Sequence, residues 1–442
     1  MHDRYDPDYL FVNGQCRAGW SLVVDPASAL IVAAGPREDL QQAYPEATVH
    51  AWRGRLIMPG TINAHAHAFQ HLARGQGVDR PFLQWRDDTL YRLAPHLDPD
   101  TLYQGSQWAF AEMLQAGITT VAEFFYVHGS TLDNDRAVIQ AARDVGIRLI
   151  FARTFYDWEG APAAYQETPE LAVQRTQTLA AELSQDPTVN LHVAPHSLHG
   201  ASDLMIQTAY ALAQDLGVPC HIHVAEESFE VREVQARTGH TPVAHLAALG
   251  VLSPRTLAVH LVAITPEDIA ILQDHGARWI YCPASNGFLG DGIPPLADLL
   301  AHGIPPALGT DGGCSNNRAS IYDEMRTLAL LHKGLHQDAT VVTHRQVLEF
   351  GTKQGAEHLD IPAGDLQPGR LADFVGIDIN HPSLIPWTAE TLPANMVYAM
   401  QPEAIREVVV GGRQVVHEGV LTTVDQQRLG TQVQALVQHW FQ

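Results

Sequence analysis

Met58-Pro59-Gly60-Thr61-Ile62-Asn63-Ala64-His65-Ala66-His67 decides how this chain is read. Leu56, Ile57 and Met58 lead in as a short apolar strand, and the run ends in two imidazoles spaced i, i+2. Residues two apart in a strand point to the same side. His65 and His67 can therefore reach one metal ion together, and imidazole nitrogen suits zinc, iron, nickel or cobalt. Two ligands hold no catalytic metal, so the others must come from elsewhere. In a sequence with 24 histidines a close pair also arises by chance, which makes the partners decisive.

Working outward, Ile57–His67 is the first of a series of strand-like runs that alternate with helix-like segments. The others are Thr119–Val127, Arg148–Thr154, Val189–Ser197, Pro219–Ala225, Thr256–Leu261, Arg278–Cys282 and Pro306–Asp311. Ser202–Leu216 illustrates the helices: Ser202 or Asp203 can cap it, Leu204, Ala209, Leu212 and Leu216 form a stripe, and Gly217 stops it. Eight βα units across about 250 residues predict an α/β fold, a (β/α)8 TIM barrel. On either side the rhythm is that of short strands and turns, as in Tyr9–Val12 before Asn13-Gly14 and in Glu407–Val416 around Gly411-Gly412. The expected organisation is residues 1–57 and 368–442 as two parts of one β-sandwich, the second ending in a helix about Asp425–Trp440. Residues 58–367 form the barrel.

A formal charge of -22 in 442 residues argues against nucleic acid or an anionic membrane as partner, because phosphate binding needs a basic face. Cys16, Cys220, Cys282 and Cys314 lie far apart with no CxxC, and three sit in or beside apolar runs, so free buried thiols are expected. No apolar run is long enough to span a bilayer and the first residues carry no leader pattern. A cytoplasmic setting follows, and a homodimer is left open.

Catalytic groups of such barrels sit at the C-terminal ends of strands. Strand one ends in His65 and His67, and strand five in Cys220-His221-Ile222-His223-Val224-Ala225-Glu226. Strand six ends in Ala258-Val259-His260, and strand eight in Gly309-Thr310-Asp311. A carboxylate buried among them would be costly without a cation. The expected metal site is His65, His67, His223 and Asp311. His221, deeper on the same face as His223, supports it. His260 can be a further ligand, but a place beside the substrate fits it better. No Lys lies between His67 and His223 to bridge a second ion, so one divalent metal is expected, zinc first and iron second. The ion would bring the pKa of one water toward neutrality. Asp311 can take that water's proton, His260 can orient the attacking oxygen, and Glu226 can protonate the leaving nitrogen.

Taken with Cys282-Pro283-x-Ser285-Asn286 and Gly309-Thr310-Asp311-Gly312, these motifs resemble those of the amidohydrolase superfamily, in its cytosine-deaminase-like branch, over nearly the whole chain. The resemblance implies hydrolysis of a C–N bond at an amidine-like carbon of a small C=N substrate, with release of ammonia. The first half is similar to formimidoylglutamate deiminase in His65-Ala-His67-Ala-Phe69-Gln70, Phe82-Leu-Gln-Trp85-Arg86, Glu123-Phe-Phe-Tyr126-Val-His128 and Ala194-Pro195-His196-Ser197-Leu198. That likeness implies that Gln70, Arg86, Tyr126 and His196 line the substrate pocket, with Arg86 a bidentate partner for a carboxylate. The chain departs at His199, where the deiminase has an Arg that grips its substrate. Ser285–Gly290 and Gly312–Asn317 lean instead toward adenosine-type, S-adenosylhomocysteine and triazine aminohydrolases. A deiminase-like iminohydrolase is the first expectation. An aminohydrolase or chlorohydrolase of a purine, pterin or triazine is the alternative, and an inactive scaffold barrel a remote one.

Overall fold

The structure, a computed structural model, describes residues 2–438, 440 and 441. Its centre is a parallel (β/α)8 barrel. The strands are Thr61–His67, Ile118–Phe125, Arg148–Phe155, Val189–Pro195, Cys220–Val224, Thr256–His260 and Arg278–Tyr281, then an interrupted eighth made of Pro306–Leu308 and Asp311–Gly312. The two pieces of the eighth close the ring: Pro306–Leu308 pairs with strand seven, and Asp311–Gly312 pairs with Ala66 and His67 of strand one. The break falls at Gly309, where a Cβ would press on His65 Cβ at 2.8 Å and Cys282 Sγ at 3.0 Å. Strand eight can pass this close to strand one only without a side chain there.

The first strand differs from the reading above. Ile57–His67 is not one element but two, divided at Gly60. Arg55–Pro59 runs antiparallel to Phe374–Asp378 in an outer sheet, and Thr61–His67 belongs to the barrel. A Cβ on Gly60 would lie 2.2 Å from the Thr119 side chain, so glycine lets the chain step from one sheet to the other.

Two further sheets stack beside the barrel. One of seven strands interleaves both ends of the chain, with Arg55–Pro59 between Phe374–Asp378 and Tyr9–Val12; the other, of four, comes from residues 3–50. Tyr5, Leu10, Leu22, Phe374 and Val409 fill the space between them. The helix Asp203–Leu216 starts on the Ser202 hydroxyl, which accepts from Met205 N at 3.1 Å, and stops at Gly217 with φ 69°. The terminal helix covers Gln426–Val437. All four cysteines are free and buried. No helix among the described residues is long and apolar enough to cross a membrane.

Candidate active site

The polar groups converge at the C-terminal mouth of the barrel, and the backbone there is bent to deliver them. Ala225, His260, Leu261 and Asp311 all have positive φ, between 50° and 77°. Such angles strain non-glycine residues and persist where surrounding contacts enforce them. Asn63, in the strand that carries His65 and His67, ties the eighth strand in place. Its Nδ2 donates to Thr310 Oγ1 at 2.7 Å, and its Oδ1 accepts from Thr310 N at 3.0 Å.

His67 Nδ1 donates to the Phe124 carbonyl at 2.7 Å and His223 Nδ1 to the His196 carbonyl at 2.8 Å. Each bond fixes the tautomer that leaves Nε2 unprotonated and turned inward. His223 Nε2 lies 3.2 Å from His65 Nε2. Asp311 Oδ1 lies 3.4 Å from His65 Nε2 and 3.3 Å from His67 Nε2. Ligand atoms about 2.0–2.1 Å from a tetrahedral centre stand roughly 3.3–3.4 Å from one another, close to these spacings, and His65, His67 and His223 together form a group that could hold a metal ion. Burial, and then the His65 charge, hold His67 down to about 3. Burial alone would raise the Asp311 carboxyl, but its bond to His65 and the imidazoles around it carry it well below the usual range. His67, His223 and Asp311 therefore present two neutral imidazoles and a carboxylate, as a cation requires.

Glu226 and His260 face each other across the mouth, with His260 Nε2 3.4 Å from Glu226 Oε1. Single ligand-type atoms of Glu226, His260 and Asp311 all fall within 4.8 Å of one another, a second group beside that of His65, His67 and His223. Burial first, then the nearby carboxylates Asp291, Asp311, Glu230 and Glu227, push the Glu226 carboxyl well up. His221 lies a layer below, its Nε2 2.9 Å from His192 Nδ1.

Gln70, Arg86, Tyr126, His196 and His199 all line the same cavity as His67, His223, Glu226, His260 and Asp311. Gln70 Nε2 donates to Tyr126 OH at 3.1 Å, and its Oε1 accepts from Cys314 Sγ at 3.3 Å. The Arg86 guanidinium sits 4.7 Å from the Tyr91 ring and 5.1 Å from the Trp158 ring, and its Nε donates to Asp87 at 2.8 Å. Burial, with Arg86 next, lowers His199 to about 4, so it is neutral at pH 7.

Several contributors escaped the sequence reading. Phe82, Trp85, Tyr91, Tyr156 and Tyr165 give the cavity much of its aromatic wall; Phe82, Trp85 and Tyr91 sit in short helical turns and Tyr156 and Tyr165 in a loop, where no periodicity marks them. Ser285 donates to Asp311 Oδ2 at 2.5 Å and Asn286 meets His260 Nδ1 at 3.0 Å. Their signal was present, two polar residues just past the end of strand seven, but no role was attached to them. Glu123 accepts Ala68 N with both carboxyl oxygens, at 2.9 and 2.8 Å, which anchors the turn after His67.

A barrel with this mouth defines a metal-dependent hydrolase, and the amidohydrolase family matches residues 56–415. The chain belongs to that family, whose curated relatives are deaminases, and it is a hydrolase acting on non-peptide C–N bonds. It is 33% identical over 397 residues to a 5-methylthioadenosine/S-adenosylhomocysteine deaminase of Syntrophobacter fumaroxidans, covering 89% of this chain and 88% of that one. A 5'-deoxyadenosine deaminase of Methanothermobacter thermautotrophicus is 31% identical over 379 residues, 86% of each chain. Among solved structures, a zinc-bound adenosine deaminase from Xanthomonas campestris superposes with a TM-score of 0.89 at 25% identity, over 99% of this chain and 98% of that one.

Proposed function

We propose that the protein is a mononuclear metal-dependent aminohydrolase that releases ammonia from an amino-substituted nitrogen heterocycle of the adenosine type. The observation that carries this reading is the cavity wall. Phe82, Trp85, Tyr91, Tyr126, Tyr156 and Tyr165 offer rings to a planar base, and offset or edge contacts between rings are favourable beyond the area they bury. Arg86 is the only Lys or Arg among the described residues of that wall, and Asp87 and two rings already engage it. An acyclic dicarboxylate would leave the aromatic surface unused and find a single cation. The relatives acting on adenosine derivatives support the same substrate class over the formimidoylglutamate-like one, for which Arg86 is the one favourable feature.

His65, His67, His223 and Asp311 would hold the ion, with zinc the best match to three imidazoles and a carboxylate, and iron second. When bound, it supplies the Lewis acidity that lowers the pKa of a water to about 7. Asp311, kept ionised, accepts the proton of the attacking water. His260 orients that oxygen toward the substrate carbon. Glu226, kept protonated by burial and neighbouring carboxylates, donates to the departing nitrogen. A C–O bond forms, the C–N bond breaks, and ammonia leaves.

The test is ammonia release by the zinc-loaded protein from adenosine, 5'-methylthioadenosine, S-adenosylhomocysteine and 5'-deoxyadenosine. Formimino amino acids, guanidino acids, pterins and triazines run beside them. The purine set is expected to give the highest kcat/KM. A higher value on formiminoglutamate would overturn the substrate class, and no turnover of any compound would favour the scaffold.

A further inference from the structure

We propose that Asp291 is a positioning residue that fixes the tautomer of His260 by way of Asn286. The proposal rests on the reading of His260 as the group that orients the attacking oxygen.

His260 is held at both ends. Its carbonyl accepts from Trp279 Nε1 at 2.9 Å, and its backbone sits at φ 77°. Nε2 faces Glu226 and the cavity, while Nδ1 faces Asn286 Nδ2. A neutral imidazole has one donating and one accepting nitrogen, and the group facing Nδ1 decides which is which. An amide by itself settles nothing, since half a turn exchanges its NH2 for its carbonyl.

Asp291 removes the ambiguity. Its Oδ2 lies 2.8 Å from the same Asn286 Nδ2. A carboxyl oxygen there accepts, so the NH2 edge of Asn286 must face it, with one hydrogen for Asp291 and the other for His260 Nδ1. Nδ1 then accepts, and the imidazole N–H stands at Nε2, directed to Glu226 and the substrate. The reversed amide would set its oxygen against the Asp291 carboxyl. Asp291 Oδ1 is buried with no hydrogen-bond partner, and Glu227 lies beside the carboxyl. Burial, with the Glu227 contact next, pushes Asp291 up to about 9. A proton carried on Oδ1 leaves Oδ2 free to accept from Asn286 Nδ2. Asp291 is also fixed in place: its N–H donates to the Asn286 carbonyl at 3.0 Å, just beyond the helix Pro283–Leu289. Neither Asp291 nor Asn286 is among the residues that line the cavity, so both act through His260.

The experiment uses zinc-loaded protein carrying 15N-labelled histidine, with the His260 signals identified by their loss in His260→Gln. In the wild type, Nε2 should carry the proton and Nδ1 should not. Asp291→Ala should mix or reverse the two and lower kcat by about 10- to 100-fold, part of the usual weight of acid–base positioning, with KM within about 2-fold. Asp291→Ser, too short to reach Asn286, is read in parallel in case the alanine variant folds poorly. Asp291→Asn can still offer a carbonyl to Asn286, so it should restore the Nε2–H signal and most of the rate. Adding Asp291→Ala to Asn286→Ala should cost nothing further, as for two groups acting through one path. An unchanged His260 tautomer in both Asp291→Ala and Asp291→Ser would overturn the proposal, as would additive losses in the double variant. The NMR result needs no substrate, so a failed purine panel would leave it standing and a failed tautomer shift would leave the panel standing.

Discussion

His65 Nε2 and His223 Nε2 stand 3.2 Å apart at the barrel mouth, although 158 residues separate them in the chain. The Nδ1 bond of His223 to the His196 carbonyl leaves its Nε2 as a bare lone pair. Burial holds that imidazole well below its usual pKa, so a proton is a poor bridge between the two and a cation a good one.

The expected outcome is about one tightly held divalent ion per chain by elemental analysis. Its removal with a chelator should lower Tm, because a ligand present at a hundred times its Kd stabilises by about 2.7 kcal/mol. His223→Ala should lose the metal and the chelator effect together. Two stoichiometric ions in the active protein would defeat the mononuclear site.

Glu226 and Asp311 should separate by readout. Glu226→Gln keeps the size and removes the acid, so metal content should stay near wild type while kcat falls about 100-fold or more. Asp311→Asn should abolish turnover even in the fraction that keeps metal, since the proton acceptor is gone. Metal loss in Glu226→Gln would make Glu226 a ligand, and near-wild-type turnover in Asp311→Asn would remove it from the mechanism.

Acid stability carries a prediction away from the metal. Burial lowers His192 to about 3, with Arg278 next, and lowers His358 to about 4 against its bond to the Gln354 carbonyl. The unfolded chain, with His near 6.5, binds more protons than the folded one below that pH. The stability each contributes is complete above pH 6.5 and lost as pH falls toward 4 and 3, at no more than about 1.4 kcal/mol per pH unit per group. Buried Glu123, Glu230 and Glu324, pushed up to about 8 by burial, act in the opposite sense. The measurement is therefore the difference between variant and wild type. His192→Gln and His358→Gln should each flatten the slope of unfolding free energy between pH 6.5 and 4, and equal slopes would refute the assignment.

The ends of the barrel strands were legible because each is a local apolar run closed by a polar residue, and parity within a strand is a local property. His65, His67, His223, His260 and Asp311 were found that way. What a run of sequence does not carry is its partner. Leu56-Ile57-Met58 reads the same whether it pairs with a barrel strand or with Phe374–Asp378, which lies more than 300 positions away. Gly60 marked the step only once Thr119 was seen against it. Buried charge is equally opaque. Arg153, fully buried on strand three, is held by Asp135 at 2.9 Å and Glu167 at 2.8 Å, and sequence alone offers no reason to bring these groups together. The aromatic wall, built from the short helical turns of Phe82, Trp85 and Tyr91 and the loop of Tyr156 and Tyr165, had no periodic pattern to mark it, and neither did the proposed substrate class.

The last prediction concerns that substrate class. Arg86 is partly spent on Asp87, Tyr91 and Trp158, and His199, lowered to about 4, gives no charge at pH 7. Formiminoglutamate should therefore be a poor substrate, because a missing charge-assisted pair costs a few kcal/mol, or about a hundredfold in kcat/KM. His199→Arg should raise kcat/KM on formiminoglutamate by about 10-fold or more, the gain being limited by the second guanidinium it sets near Arg86. Arg86→Ala should weaken carboxylate-bearing substrates by a similar factor and leave uncharged nucleosides within a few fold, since these need the rings and not the cation. The two variants and the wild type are compared by ammonia release on formiminoglutamate, S-adenosylhomocysteine and 5'-deoxyadenosine. Efficient wild-type turnover of formiminoglutamate, unaffected by Arg86→Ala, would mean that neither Arg86 nor the vacancy at His199 governs what the cavity accepts.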